Sequence, residues 1–175
     1  MKNLIITVTL SILTVSCSLN NVKISPSEED NIKLLYSMLY AENGEKFYRK
    51  EIEQIIEKSK GESRFIANGI YLMKHGKAKE AADQFLKISP VSPNYELMIR
   101  SFHHSLLECP TPSKYAADKL AIAIFETPYR EKLKFNIHDC VYGIDHHYLE
   151  MLKDNPKKKK EFESWLKKNS QGENK

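Results

Sequence analysis

No stretch of this 175-residue chain alternates apolar and polar side chains for long enough to form a half-buried strand, so sheet folds give way to an all-α reading. An apolar run near the roughly 20 residues needed to cross a bilayer is missing too. The uncharged stretch from Leu4 to Val15 falls well short of that length. Catalytic signatures are equally scarce. The chain has no GxSxG, no phosphate-binding loop, no HExxH and no CxxC. Its one SxxK, Ser164 to Lys167, lies in the lysine-rich segment expected as a capping helix, without the companion motifs of the enzymes that use it, so no motif-bearing hydrolase, nucleotide enzyme or common zinc site is expected. Its carboxylates fall mostly on the polar faces of amphipathic segments, where solvation accounts for them, so neither an enzyme nor a cofactor is expected. Positive charge is thin outside one region: much of the formal net charge of +4 comes from Lys157 to Lys160 with Lys167 and Lys168. A nucleic-acid-binding domain needs a broad basic face, so nucleic acid is not among the expected partners.

What is present begins with a short leader. Lys2 precedes the apolar residues Leu4 to Val15, the pattern of a secretory signal, and Leu13-Thr14-Val15-Ser16-Cys17 closes it with a small residue and a cysteine. This arrangement resembles the attachment site of bacterial lipoproteins, with Thr14 at a position where such sites favour Leu. The resemblance implies removal of residues 1–16, lipid on the Cys17 sulfur and acylation of the new N-terminus. Two or more acyl chains anchor stably where one is marginal. Ser18 stands where an Asp would retain such a protein at the inner membrane, so the resemblance further implies the periplasmic face of the outer membrane. Residues 17–27, polar and carrying a proline, read as a lipidated tether of at most about 33 Å.

Residues 28–168 carry helical periodicity and form one domain, with 169–175 expected as a disordered tail. Ser27 and Asp30 suggest a capping box, followed by Ile32, Leu35, Tyr36 and Leu39 at helical spacing. Asn43-Gly44 stops that helix, and a second is expected from Glu45 to Ser59 with Tyr48, Ile52, Ile55 and Ile56 on one stripe. Four cap-then-proline pairs, Ser92-Pro93, Thr111-Pro112, Thr127-Pro128 and Asn155-Pro156, each read as a helix start. The total is about nine helices. The last carries Phe162, Trp165 and Leu166 among lysines, as suits a capping helix with a solvated outer face.

Phe65, Gly69, Leu72, Ala81, Phe85, Ile88 and Pro93 stand at the spacing of the tetratricopeptide repeat, with Asn68 as the departure. Residues 62–93 therefore resemble one such repeat. Weaker copies follow at Ile99, Phe102, Leu106, Ala116, Leu120 and Ala123, upstream at Ile32 and Leu39, and downstream at Tyr129, Leu133, Ile137, Tyr148, Met151 and Leu152. The resemblance implies a short solenoid of antiparallel hairpins. Small Gly69 and Ala81 would let two helices approach, with Gly76 at the turn.

Within that framework Cys109 and Cys140 fall near the ends of first helices of neighbouring repeats. An even pair in an exported domain is more often bridged than reactive. A disulfide would close about 32 residues and stabilise by roughly 3.5–4 kcal/mol in the chain-entropy account; two buried thiols or a metal site are the alternatives. His138-Asp139-Cys140, Asp145-His146-His147 and His103-His104 raise the metal question, but adjacent histidines point about 100° apart on a helix, so no metal is expected.

The repeat resemblance implies a concave surface lined by first helices and used for a peptide or protein. Its expected lining is Ser63, Ile66, Ile70 and Met73, then Leu97, Arg100, His104 and Leu107, with Arg100 available to an acidic group. The functional expectation is a membrane-anchored periplasmic adaptor or assembly factor, monomeric or in a 1:1 complex with its partner. The alternative is an immunity lipoprotein that neutralises a toxin acting in the periplasm.

Overall fold

A computed structural model of the chain describes residues 23–111, 113–132 and 143–170. The expected leader, Cys17, most of the tether, Leu133, Ile137, His138, Cys140 and residues 171–175 lie outside the described residues. Among those described there is no strand, and nine α-helices with one 3-10 turn make up the fold. They are α1 (Pro26–Tyr40), α2 (Gly44–Phe47), α3 (Arg49–Lys58), α4 (Gly61–Lys74), α5 (Ala78–Phe85), α6 (Tyr95–Leu107), α7 (Lys114–Phe125), the 3-10 turn Pro128–Lys132, α8 (Ile144–Met151) and α9 (Pro156–Ser170).

Helix α1 starts two residues earlier than the Ser27 and Asp30 pattern suggests. Ser25 is the cap: its hydroxyl accepts from the Glu28 amide at 3.3 Å while Glu28 Oε2 accepts from the Ser25 amide at 3.2 Å, a reciprocal capping box. Pro26 explains the shift, because proline suits the first helical position and pushes the cap onto the residue before it. The folded part of the chain thus begins inside the segment expected as a tether. Ile24 is buried, and its amide donates to Asn94 Oδ1 at 2.8 Å.

The expected helix from Glu45 to Ser59 is broken at Tyr48, which leaves the helical region with φ −114° and exposes its ring. At the other cap-proline pairs the outcome divides. Asn155 Oδ1 accepts from the Lys158 amide at 3.1 Å and opens α9 as expected, whereas Thr127 Oγ1, accepting from the Tyr129 amide at 3.2 Å, opens only the five-residue 3-10 turn. Ser113, not Thr111, caps α7, accepting from the Ala116 amide at 3.2 Å. Helix α6 begins at Tyr95, just past Ser92-Pro93, and Ser92 instead braces the Asn94 amide at 3.1 Å. Helix α9 runs to Ser170, so residues 169 and 170 belong to the helix rather than to a tail.

Helices α4 and α5 form a tight antiparallel hairpin. A Cβ on Gly69 would lie 2.7 Å from the Phe85 ring, which shows how closely the two approach, and Gly76 takes φ +71° to make the turn between them. Phe85 stacks on Phe102 of α6 with centroids 4.7 Å apart, joining this hairpin to the next. One continuous core results, running from Leu35 through Ile70, Phe85, Phe102 and Leu120 to Phe125 and Phe162.

The contacts define two ends of the bundle. At the near end, where Ile24 joins the fold, Glu62 accepts from Ser92 Oγ and Asn94 Nδ2, each at 2.6 Å, and Tyr95 donates to the Ala123 carbonyl at 2.9 Å. At the far end Lys74 Nζ sits 4.7 Å from the Tyr40 ring centroid, and Tyr36 reaches the His104 carbonyl at 3.4 Å. The starts of α1, α4 and α6 thus share one end and their terminations the other, with α5 and α7 running back between.

Candidate functional site

Half of the expected groove is core. Ser63, Ile66, Ile70 and Met73 are each at most 1% exposed, so they cannot line an open surface. The cause is the central position of α4, which is enclosed by α1, α3, α5 and α6. Ser63 shows the closure directly: its hydroxyl lies between Glu28 Oε1 of α1 at 3.2 Å and the Lys60 carbonyl at 2.7 Å. The α6 half differs. Leu97 is partly buried, whereas Arg100, His104 and Leu107 are at the surface, with Arg100 held to Glu96 at 2.6 Å one turn earlier.

A cleft of about 680 Å³ lies instead at the far end, between the turn after α1 and the last turn of α4. Its floor includes Leu39 and Ile52, and its walls carry Glu45, Lys46, Arg49, Glu53, Tyr71, Lys74 and His75. One contact crosses it and another runs along α3. His75 Nε2 lies 2.9 Å from Glu45 Oε1, its Nδ1 lies 2.7 Å from the Tyr71 carbonyl, and Arg49 Nε contacts Glu53 at 3.0 Å. The Tyr71 ring lies against His75 with centroids 4.2 Å apart. Beside the cleft Tyr36 and Tyr40 stack at 4.4 Å, and burial pushes both phenols above their ordinary range.

Large apolar groups stand exposed at this same end. Phe47 is 68% exposed and Leu107 57%, with Tyr48 and Tyr71 also at the surface. Sequence periodicity did not pick out Phe47, Tyr71, Lys74 or His75. A signal existed in Phe47-Tyr48, two adjacent aromatics in an otherwise polar segment, which no amphipathic helix would bury together.

Cys109 is a free cysteine here, with Sγ 3.1 Å from the Thr111 carbonyl oxygen and 3.5 Å from that of Met73. Cys140, its expected partner, lies outside the described residues. Of the histidines, His103 is buried, His104 and His146 are exposed, and His147 Nε2 bonds Asp118 Oδ1 at 2.7 Å. Burial raises the Asp118 carboxyl, but its bonds to Lys114 and His147 outweigh that and hold it below its usual value. Among the described residues no three His, Cys, Asp or Glu side chains converge as a metal would require, and no helix is long and apolar enough to cross a membrane. Comparison with known protein families, with curated proteins and with solved structures gives no match to this chain.

Proposed function

We propose that this chain is a lipoprotein anchored through Cys17 at the periplasmic face of the outer membrane, with a tetratricopeptide-like helical-repeat domain that holds a partner protein as an adaptor or assembly factor. The observation that carries the binding role is the far end. Exposed Tyr71 lines a cleft whose walls carry both acidic and basic side chains, exposed Phe47 and Tyr48 stand between its wall residues Lys46 and Arg49 in the chain, and Leu107 is exposed at the same end of the fold. Clustered exposed apolar groups mark interaction surfaces, and aromatic and arginine anchors dominate binding energy at such surfaces. Arg100 and His104 extend this surface along α6, so the partner is expected to touch both the cleft and the α6 face. The buried stripe on α4 supports the domain and does not itself meet the partner.

A photo-crosslinking residue placed at Phe47 or Leu107 should capture one envelope protein in native cells, and the same residue at Val91, exposed at the near end, should not. Tyr71→Asp should abolish the capture. Equal capture from both ends, or none from Phe47 and Leu107, sinks the binding reading. Capture of an assembly component supports the adaptor, and capture of an incoming toxin assigns the chain as its immunity protein. The anchor is tested separately, by the mass of the N-terminal peptide in wild type and in Cys17→Ala.

A further inference from the structure

Seven lysines against three acidic residues between positions 153 and 168 carry the entire formal net charge of +4, so the remaining chain is balanced. Most of that charge lies on α9, which docks through one stripe only. Phe162 is buried against Phe125 and Tyr148 at centroid distances of 4.8 Å each, and the Arg130 guanidinium covers Trp165 at 5.5 Å. At 100° per residue the opposite face presents Lys157, Lys160, Ser164, Lys167 and Lys168, all exposed. Glu161 and Glu163 fall on the flanks of this face rather than within it. Lys158 is turned toward the domain, 3.8 Å from Glu126. Four lysines therefore form a row about 16 Å long on a rigid helix, pointing away from the protein.

The position of that row matters as much as its charge. Phe125 closes α7 at the near end, where Tyr95 meets both Ala123 and Tyr129, and Asn94 beside it receives Ile24. Helix α9 thus lies at the end where the chain leaves for Cys17. Six residues separate Cys17 from Ile24, seven chain steps with a reach of at most about 24 Å. If Cys17 is anchored as proposed above, the near end is held that close to the bilayer, within a few screening lengths of its surface charge.

We infer that the outer face of α9, Lys157, Lys160, Lys167 and Lys168, docks on an anionic phospholipid surface and sets the domain's orientation on the membrane. The distance argument rests on the anchor, while the charge argument does not. Lysines near an anionic surface each contribute enough attraction for about a fivefold gain in partitioning, so four together give about six hundredfold.

The test is co-sedimentation of the full chain with vesicles of phosphatidylcholine alone or of phosphatidylcholine mixed with phosphatidylglycerol, compared with a Lys157→Gln, Lys160→Gln, Lys167→Gln, Lys168→Gln variant. Glutamine keeps helix propensity, and Trp165 emission checks that α9 stays docked. The readout is the ratio of anionic to neutral binding, which cancels any contribution of the apolar leader. The wild type should show a ratio of about several hundred at low salt, falling to a few in the variant and at high salt. A wild-type ratio near one, or a ratio unchanged in the variant, overturns the inference. Binding to DNA or heparin without a vesicle preference overturns it too, assigning the row to a soluble polyanion. A Cys17→Ser chain should keep the ratio, so loss of lipidation and loss of headgroup binding are read independently.

Discussion

Gly69 sets the distance between α4 and α5, and the sign of its replacement follows from two opposed magnitudes. Alanine would gain up to about 1 kcal/mol in helix propensity, yet its Cβ would meet the Phe85 ring at 2.7 Å. Phe85 is fully buried and stacked on Phe102, so it has nowhere to move, and overpacking of this kind costs about 1–3 kcal/mol. Gly69→Ala should therefore destabilise by about 1–2 kcal/mol in urea unfolding. This contact was legible in the sequence because glycine and phenylalanine at repeat spacing imply a small residue facing a large one. The burial of Ser63, Ile66, Ile70 and Met73 was not. A stripe on one helix has the same pattern whether another helix or a ligand covers it, and only the placement of α1 decides the matter.

For single helices, local chemistry gives sharper expectations. Removing the α1 cap with Ser25→Ala should cost about 0.5–2 kcal/mol at neutral pH. The same cap holds the Glu28 carboxyl below its ordinary 4.5, chiefly through the Ser25 hydroxyl and then the Ser25 amide. A depressed carboxylate stabilises above its unfolded value and loses that contribution as pH falls through the folded one. The gap between wild type and Ser25→Ala should accordingly shrink below about pH 4.5, a trend that unfolding series across pH will check. Helix α9 offers a different test, since Trp165 is the only tryptophan in the chain. Phe162→Ala should cost about 3–5 kcal/mol and shift Trp165 emission to the red by freeing the helix from Phe125 and Tyr148. A variant with unshifted emission would mean that α9 docks by other means. Sequence reasoning saw α1 and α9 as helices because their apolar residues recur at helical spacing. It missed the break at Tyr48, since Ile52, Ile55 and Ile56 keep the period while backbone geometry interrupts it. The true α1 cap, Ser25-Pro26, is a pair of the same kind as Asn155-Pro156 and carries the same signal in the sequence.

Across the whole molecule the proposed membrane row and the proposed partner surface lie at opposite ends, separated by roughly the 21 Å length of a 14-residue helix such as α4. On vesicles carrying bromine-labelled lipids, a fluorophore at Lys168→Cys should be quenched strongly and one at Phe47→Cys hardly at all. Equal quenching at both sites would mean that the domain lies on its side. Neither end could be located from periodicity, which reports which face of a helix is buried but not which helix ends share a neighbourhood.

The bond between the Ile24 amide and Asn94 Oδ1 then acquires a mechanical meaning. A partner pulling on the far end while Cys17 stays fixed would put the domain under tension, and the load would enter at Ile24. From there it passes into Asn94 and Glu62, the paired starts of α6 and α4. Both helices lie along the line of force, so the pull is taken lengthwise in shear across many packed side chains rather than by peeling one hairpin from the next.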